Sequence, residues 1–83
     1  MFNIYVLKSF KNGKRYVGFT GKSAQERFLE HNSGKNSFTR QNKPFMLIYT
    51  EEYPTKIEAM RREKFLKSGQ GRKFLDEILT NRP

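Results

Sequence analysis

Two tyrosines, an arginine, a histidine and a glutamate are the residues of this 83-residue chain whose types and spacing suit acid–base or anion chemistry: Tyr5, Tyr16, Arg27, His31 and Glu63. A phenol both donates and accepts a hydrogen bond, and a guanidinium presents a planar fork of donors matched to carboxylate or phosphate. An imidazole changes charge near neutrality, and an ionised carboxylate only accepts. Whether these groups can act together depends on which faces of which elements carry them.

The tyrosines come from a hairpin. Runs rich in β-branched and aromatic residues at 3–10 and 14–19 flank Asn12-Gly13, a strong turn signal. A two-residue loop there pairs Lys11 with Lys14, and the same register outward pairs Ser9 with Tyr16, Leu7 with Gly18 and Tyr5 with Thr20. Cross-strand partners share a face, so Tyr5, Leu7, Tyr16 and Gly18 lie on one side of the sheet. Ile4, Val6 and Val17 lie on the other, where a helix can cover them. Gly18 has no side chain beside Tyr16 and leaves room there for a ligand or another backbone.

Helices must supply the other three. Ser23-Ala24-Gln25-Glu26 is a capping box that opens a helix ending by Asn32-Ser33-Gly34. Ala24, Arg27, Phe28 and His31 fall on one stripe of it, so an arginine and a histidine flank a core-facing surface. Pro44 then precedes Phe45-Met46-Leu47-Ile48-Tyr49, a continuous apolar run that suits a strand in the middle of a sheet covered on both faces. Thr55-Lys56-Ile57-Glu58 is a second capping box, and its helix runs through Ile57, Ala59, Met60, Glu63 and Leu66 to Ser68-Gly69. Glu63 thus projects a carboxylate from the face that should be buried. A last helix over Arg72 to Leu79 carries Phe74, Leu75, Ile78 and Leu79 at helical spacing. The expected fold is α/β, one domain over 1–83, with a small central three-stranded sheet flanked by helices in the order β-β-α-β-α-α.

Seventeen Lys and Arg against eight Asp and Glu give a net charge of +9, which points to a polyanionic partner, nucleic acid first among them. The bland alternative is a solvated basic surface. Lys35, Arg40 and Lys43 sit in a polar loop with Phe38 beside them, which favours contact with nucleic acid, and Lys67, one turn after Glu63, is a further expected contact. Without cysteine there is neither a disulfide framework nor a thiolate metal site. The first apolar run is too short and too early for a signal peptide, and Phe45 to Tyr49 is far shorter than the ~20 residues of a membrane span. The expectation is a cytoplasmic protein with no membrane partner.

These residues resemble a known set. Asn3-Ile4-Tyr5 and Tyr16-Val17-Gly18 look like the two name-giving halves of the GIY-YIG nuclease motif. Arg27-Phe28-Leu29-Glu30-His31 resembles that family's Arg-x-x-x-His helix, and Glu58-Ala59-Met60-Arg61-Arg62-Glu63 its Glu-Ala-x-x-x-Glu segment. Asn32-Ser33-Gly34-Lys35 and Arg62-Glu63-Lys64 before Leu66-Lys67-Ser68-Gly69 are similar to the short stand-alone bacterial members. The same domain forms the N-terminal nuclease part of the excision-repair incision subunit. Asn3 and Phe19 depart from the pattern, standing where relatives carry glycine and, in some, lysine.

The resemblance implies an endonuclease, dependent on Mg²⁺ or Mn²⁺, that hydrolyses DNA phosphodiester bonds with an activated water, in repair or in processing of structured DNA. In that reading Glu63 binds the metal, Arg27 holds a non-bridging phosphate oxygen, and Tyr16 positions or deprotonates the water. Tyr5 bonds to Tyr16 or the phosphate, and His31 assists base or phosphate. The alternatives are a non-catalytic binder of DNA or RNA that keeps the fold, and an RNA-binding protein of the translation apparatus.

Overall fold

The computed structural model describes residues 1–33 and 41–80. The elements are β1 (Phe2–Ser9), β2 (Arg15–Thr20), α1 (Ala24–Asn32), β3 (Phe45–Tyr53), α2 (Lys56–Lys67) and α3 (Gly69–Thr80), in the expected order β-β-α-β-α-α. The strands form one antiparallel sheet ordered β2-β1-β3. β1 is its middle because Ile4-Tyr5-Val6-Leu7 is a run that can be buried on both faces, and these four side chains are at most 2% exposed.

β3, expected in the middle, is an edge strand, and its continuous apolar run has a different cause. Its register with β1 passes from Val6↔Tyr49 to Leu7↔Leu47, a bulge that leaves Ile48 as an extra residue. One extra residue inverts the alternation of faces beyond it. Phe45 and Leu47 accordingly pack with Tyr5 and Leu7, while Ile48, Tyr49 and Tyr53 pack with Ile4 and Val6.

The hairpin register also differs from a two-residue loop. Tyr5 faces Gly18, Leu7 faces Tyr16 and Lys8 faces Arg15, a displacement of two residues. Ser9, rather than Lys11, closes the loop. Its hydroxyl accepts from the amides of Lys11 at 3.0 Å and Asn12 at 3.3 Å, its own amide donates to Lys14 O at 2.9 Å, and Gly13 takes the positive φ of 73°. A slip of two leaves every side chain on its original face, so Tyr5, Leu7, Tyr16 and Gly18 still share one surface.

Each face of the sheet has its own helical cover. α1 lies over Tyr5 and Leu7 with Ala24 and Phe28 against them, and α2 and α3 close over Ile4, Val6 and Val17 through Ala59, Leu66 and Leu75. Ser23 and Thr55 cap their helices by accepting from the amides of Glu26 and Glu58. The end of α1 is pinned to the start of β3 by Asn32, whose amide accepts from Phe45 N at 2.7 Å and donates to Phe45 O at 3.1 Å.

Two expectations for α2 are corrected. Ile57 and Met60 are exposed, and the inward stripe is Ala59, Arg62 and Leu66 with Phe65 beside it. Arg62 takes an inward place because it is neutralised there: its guanidinium donates to both Glu51 oxygens, at 2.9 and 3.1 Å, and lies 4.9 Å over the Phe65 and Phe74 rings. Burial opposes charge on Glu51, but hydrogen bonds from Arg62, Tyr49 and Tyr53 prevail and lower its pKa.

Ser68 ends α2, and α3 starts at Gly69, three residues before the expected Arg72. The Ser68 amide donates to Phe65 O at 3.0 Å and its hydroxyl accepts from Gly71 N at 3.2 Å. The helices meet so tightly at this point that a Cβ on Gly71 would lie 2.0 Å from Phe65 O and 2.4 Å from Leu66 Cα. Only glycine permits that approach.

Candidate active site

The hydroxyl of Tyr5 is the junction of the site. It lies 3.0 Å from His31 Nε2 and accepts from Arg27 Nε at 3.4 Å. The guanidinium only donates, so the phenol proton is available to His31 Nε2 in the tautomer that carries the ring hydrogen on Nδ1. The Tyr16 ring closes the group, with its centroid 6.3 Å from that of Tyr5 in a stacked arrangement and 4.9 Å from that of His31.

Depth divides these residues in a way that face assignments alone do not. Tyr5 and His31 are 2% and 1% exposed and cannot touch a substrate phosphate. Tyr16, Arg27 and Glu63 are half-buried and reach the surface. The expectation that Tyr5 or His31 contacts phosphate is therefore corrected: both side chains are buried below the surface. Gly18 is corrected in the same way. A Cβ there would lie 2.3 Å from the Tyr5 hydroxyl oxygen, so the space beside Tyr16 is filled by the Tyr5 ring itself and takes no ligand.

Burial sets the electrostatics. It pushes the Tyr5 phenol up, outweighing the opposing hydrogen bond from Arg27, and the charges of Tyr16 and Glu63 act in the same upward direction. Tyr5 thus stays protonated at neutral pH. Burial, with help from the Arg27 charge, lowers the pKa of His31. Glu30 is lowered to about 2 by hydrogen bonds from Lys22 at 2.5 Å and Arg27 at 2.6 Å.

His31 gives a direct pH prediction. A base whose folded pKa lies below its unfolded value stabilises the fold above the ordinary 6.5, and the stabilisation is lost as pH falls through the folded pKa. This is the sequence's single histidine, so its ring resonance needs no assignment. In an NMR titration its midpoint should fall below 6.5, with the melting temperature declining over the same acidic range. A midpoint at or above 6.5 would contradict the buried, neutral ring.

Glu63 lies one turn before Lys67 on α2, with 3.6 Å between Oε2 and Nζ, and its side chain is 21% exposed. Among the described residues no three of His, Cys, Asp and Glu converge, so nothing resembles an all-protein metal cage. A single hard oxygen donor nonetheless fits Mg²⁺ or Mn²⁺, because such an ion keeps several waters and takes the rest of its ligands from a substrate phosphate. Of the expected nucleic-acid contacts, Lys43 and Lys67 are exposed, while Lys35 and Arg40, with Phe38, lie outside the described residues.

Sequence reasoning passed over two residues. Glu30 holds Arg27 from one side while Tyr5 holds it from the other; the i,i+3 spacing of Arg27 and Glu30 was the available signal. Asn32, read only as a helix terminator, fixes α1 against β3.

An antiparallel three-stranded sheet covered by one helix on one face and two on the other, with a Tyr–His–Arg cluster at the first face, defines a small α/β domain. The chain belongs to the GIY-YIG family: the family's catalytic-domain model matches residues 1–74. It is similar to a UPF0213 protein of Staphylococcus saprophyticus, 36% identical over 76 residues that make up 90% of each chain. A UPF0213 protein of Bacillus pumilus is 41% identical over 78 residues, covering 89% of this chain and 78% of its own. An archaeal relative, from Halobacterium salinarum, is 40% identical over 68 residues, covering 81% and 86%. Among solved structures, the solution NMR structure of a UPF0213 protein from Bacillus halodurans matches with a TM-score of 0.56 and 34% identity, covering 94% of this chain and 85% of that one. No helix among the described residues is long and apolar enough to cross a membrane.

Proposed function

We propose that this protein is a metal-dependent endonuclease that hydrolyses DNA phosphodiester bonds in branched or otherwise structured substrates. The observation that carries the reading is the Tyr5 hydroxyl, which bonds to His31 and Arg27 and lies within the electrostatic reach of Tyr16 and Glu63. Residues from β1, β2 and α1 thereby meet at one point beneath the surface, and the charge of Glu63 on α2 is felt there.

Arg27, oriented by Glu30 and Tyr5, holds a non-bridging phosphate oxygen with its remaining donors and stabilises charge that grows on the phosphoryl group. Tyr16, steadied by its contacts with Tyr5 and His31, orients the attacking water. Glu63 would hold Mg²⁺ or Mn²⁺, which when bound supplies charge neutralisation at the phosphate. Tyr5 and His31 keep the arrangement rigid from below.

The test is incubation with plasmid and with branched DNA in Mg²⁺, Mn²⁺ or EDTA, alongside Glu63→Ala. Cleavage by wild type in either metal, abolished by EDTA and by the substitution, is the expected result. Equal behaviour of wild type and variant in metal would overturn the enzymatic reading. Salt-dependent binding without cleavage would instead favour a non-catalytic nucleic-acid binder, for which the net charge of +9 provides the attraction.

A further inference from the structure

We propose that Lys22 is a second contact for the DNA backbone, gripping the phosphate next to the one that Arg27 holds. This deepens the reading of the same site and rests on Arg27 as a phosphate holder. The observation behind it is a lysine whose backbone is fixed at both ends. Just past β2, the Lys22 amide donates to Thr20 Oγ1 at 3.0 Å, and the Lys22 carbonyl accepts from Asn3 Nδ2 at 2.9 Å. Asn3 and Thr20 are register partners across β1 and β2, so a single cross-strand pair forms the mount.

The mount uses a residue that departs from the family pattern. Asn3 stands where relatives carry glycine, which has no side chain to offer the Lys22 carbonyl. Ser23, the next residue, caps α1, so Lys22 is also fixed against the helix that bears Arg27. Solubility alone asks for no such fixture. A binding lysine gains from it, because a side chain on a fixed base loses less freedom when its ligand arrives.

One carboxylate ties Lys22 to the site. Lys22 Nζ lies 2.5 Å from one oxygen of Glu30, and Arg27 Nη1 lies 2.6 Å from the other. Two positive charges against one negative leave the trio cationic. Both cations keep donors to spare among the described residues: Glu30 takes one hydrogen from the ammonium's three, and Glu30 with Tyr5 takes two from the guanidinium's five. Both also reach solvent, with side chains 58% and 33% exposed. Unmatched, Glu30 would repel a phosphate on Arg27; Lys22 cancels that charge and sets a second cation at a fixed spacing from the first. Paired cations of this kind suit consecutive phosphates of a strand, contacts that set position rather than read sequence.

The test measures binding of a fluorescein-labelled blunt DNA duplex by anisotropy, in EDTA and across a salt series. Lys22→Gln is compared with Lys73→Gln, the same loss of charge at an exposed position on α3, across the sheet from α1. Lys22→Gln should lower the salt slope by about 0.9, the value of one phosphate contact on duplex DNA, and weaken binding roughly eightfold at about 0.1 M salt. Lys73→Gln should weaken it less than about twofold, since charge beyond a Debye length of ~10 Å is screened. The Glu30→Gln background separates contact from masking. If Lys22 only neutralises Glu30, Lys22→Gln costs nothing once that carboxylate is gone, whereas a direct contact keeps its slope change. Asn3→Gly should weaken binding in wild type and have no further effect in the Lys22→Gln background, a coupling that a merely structural asparagine lacks.

An unchanged slope in Lys22→Gln, equal loss in Lys22→Gln and Lys73→Gln, or disappearance of the effect in the Glu30→Gln background would each overturn the proposal. Additive losses in Asn3→Gly and Lys22→Gln would overturn the mount. Melting temperatures of the variants confirm that all fold. Because binding is read without metal, the two readings fail separately. A protein that cuts DNA while Lys22→Gln leaves the slope unchanged keeps the nuclease reading and loses this one, and a protein that shows the slope change but never cuts does the reverse.

Discussion

Arg27→Ala should lower the rate of DNA cleavage by about 10²–10³-fold, the usual effect of removing one fixed donor to developing charge, while leaving the protein folded. The guanidinium is held by Glu30 at 2.6 Å and by the Tyr5 hydroxyl at 3.4 Å, with a third of the side chain exposed. It is thus oriented before substrate arrives, which is what makes such a donor effective. The structural cost is small by comparison. Tyr5 keeps His31 as a partner, Glu30 keeps Lys22, and an exposed pair of this kind is worth about 0–1 kcal/mol. Arg27→Lys separates charge from shape, since an ammonium cannot present the planar fork; it should recover only a minor part of the rate. Turnover under saturating substrate, with a melting curve for each variant, checks this. A rate within threefold of wild type for Arg27→Ala would remove Arg27 from the proposed chemistry.

Gly18→Ala is the second large effect, on stability and activity together. The added methyl would lie 2.3 Å from the Tyr5 hydroxyl oxygen and 2.5 Å from its ring carbon, so the buried ring must move. Moving it breaks the contacts with His31 and Arg27 and unseats the surface on which Tyr16 rests. Overpacking a core of this kind costs about 1–3 kcal/mol, which in a domain of this size lowers Tm by roughly 5–20 °C. Cleavage should fall with it, because Arg27 and Tyr16 lose their common support. Tyr5→Leu provides the internal check. If the clash is with the tyrosine ring, Gly18→Ala should cost much less in the Tyr5→Leu background than in wild type, a coupling read by a double-mutant cycle. Strict additivity of the two substitutions would show that the glycine serves something other than Tyr5.

Why this much of the site was legible in the sequence follows from periodicity. A strand alternates strictly, so the hairpin loop could be misjudged by two residues and still put Tyr5 and Tyr16 on one face. A capping serine sets the phase of a helix, so Ala24, Arg27, Phe28 and His31 had to form one stripe. Periodicity says which way a side chain points and not how deep it ends. Tyr5 and His31 share the expected face with Tyr16 and Arg27 yet end buried at 2% and 1% exposure.

The errors at β3 and α2 share a cause. The bulge at Ile48 and the paired Arg62 both break a local rule through a long-range partner, β1 in one case and Glu51 in the other. Such partners are not adjacent in sequence. Glu30 was hidden differently: a glutamate three residues after an arginine reads as an ordinary surface pair until the Tyr5 hydroxyl is seen on the arginine's other side.

The junction at Ser68 and Gly71 makes α2 and α3 a single stiff elbow. With Gly71 seated on the backbone of Phe65 and Leu66, α3 has no slack in which to swing independently. Any side chain at position 71 would therefore have to push α3 away from the helix that bears Glu63.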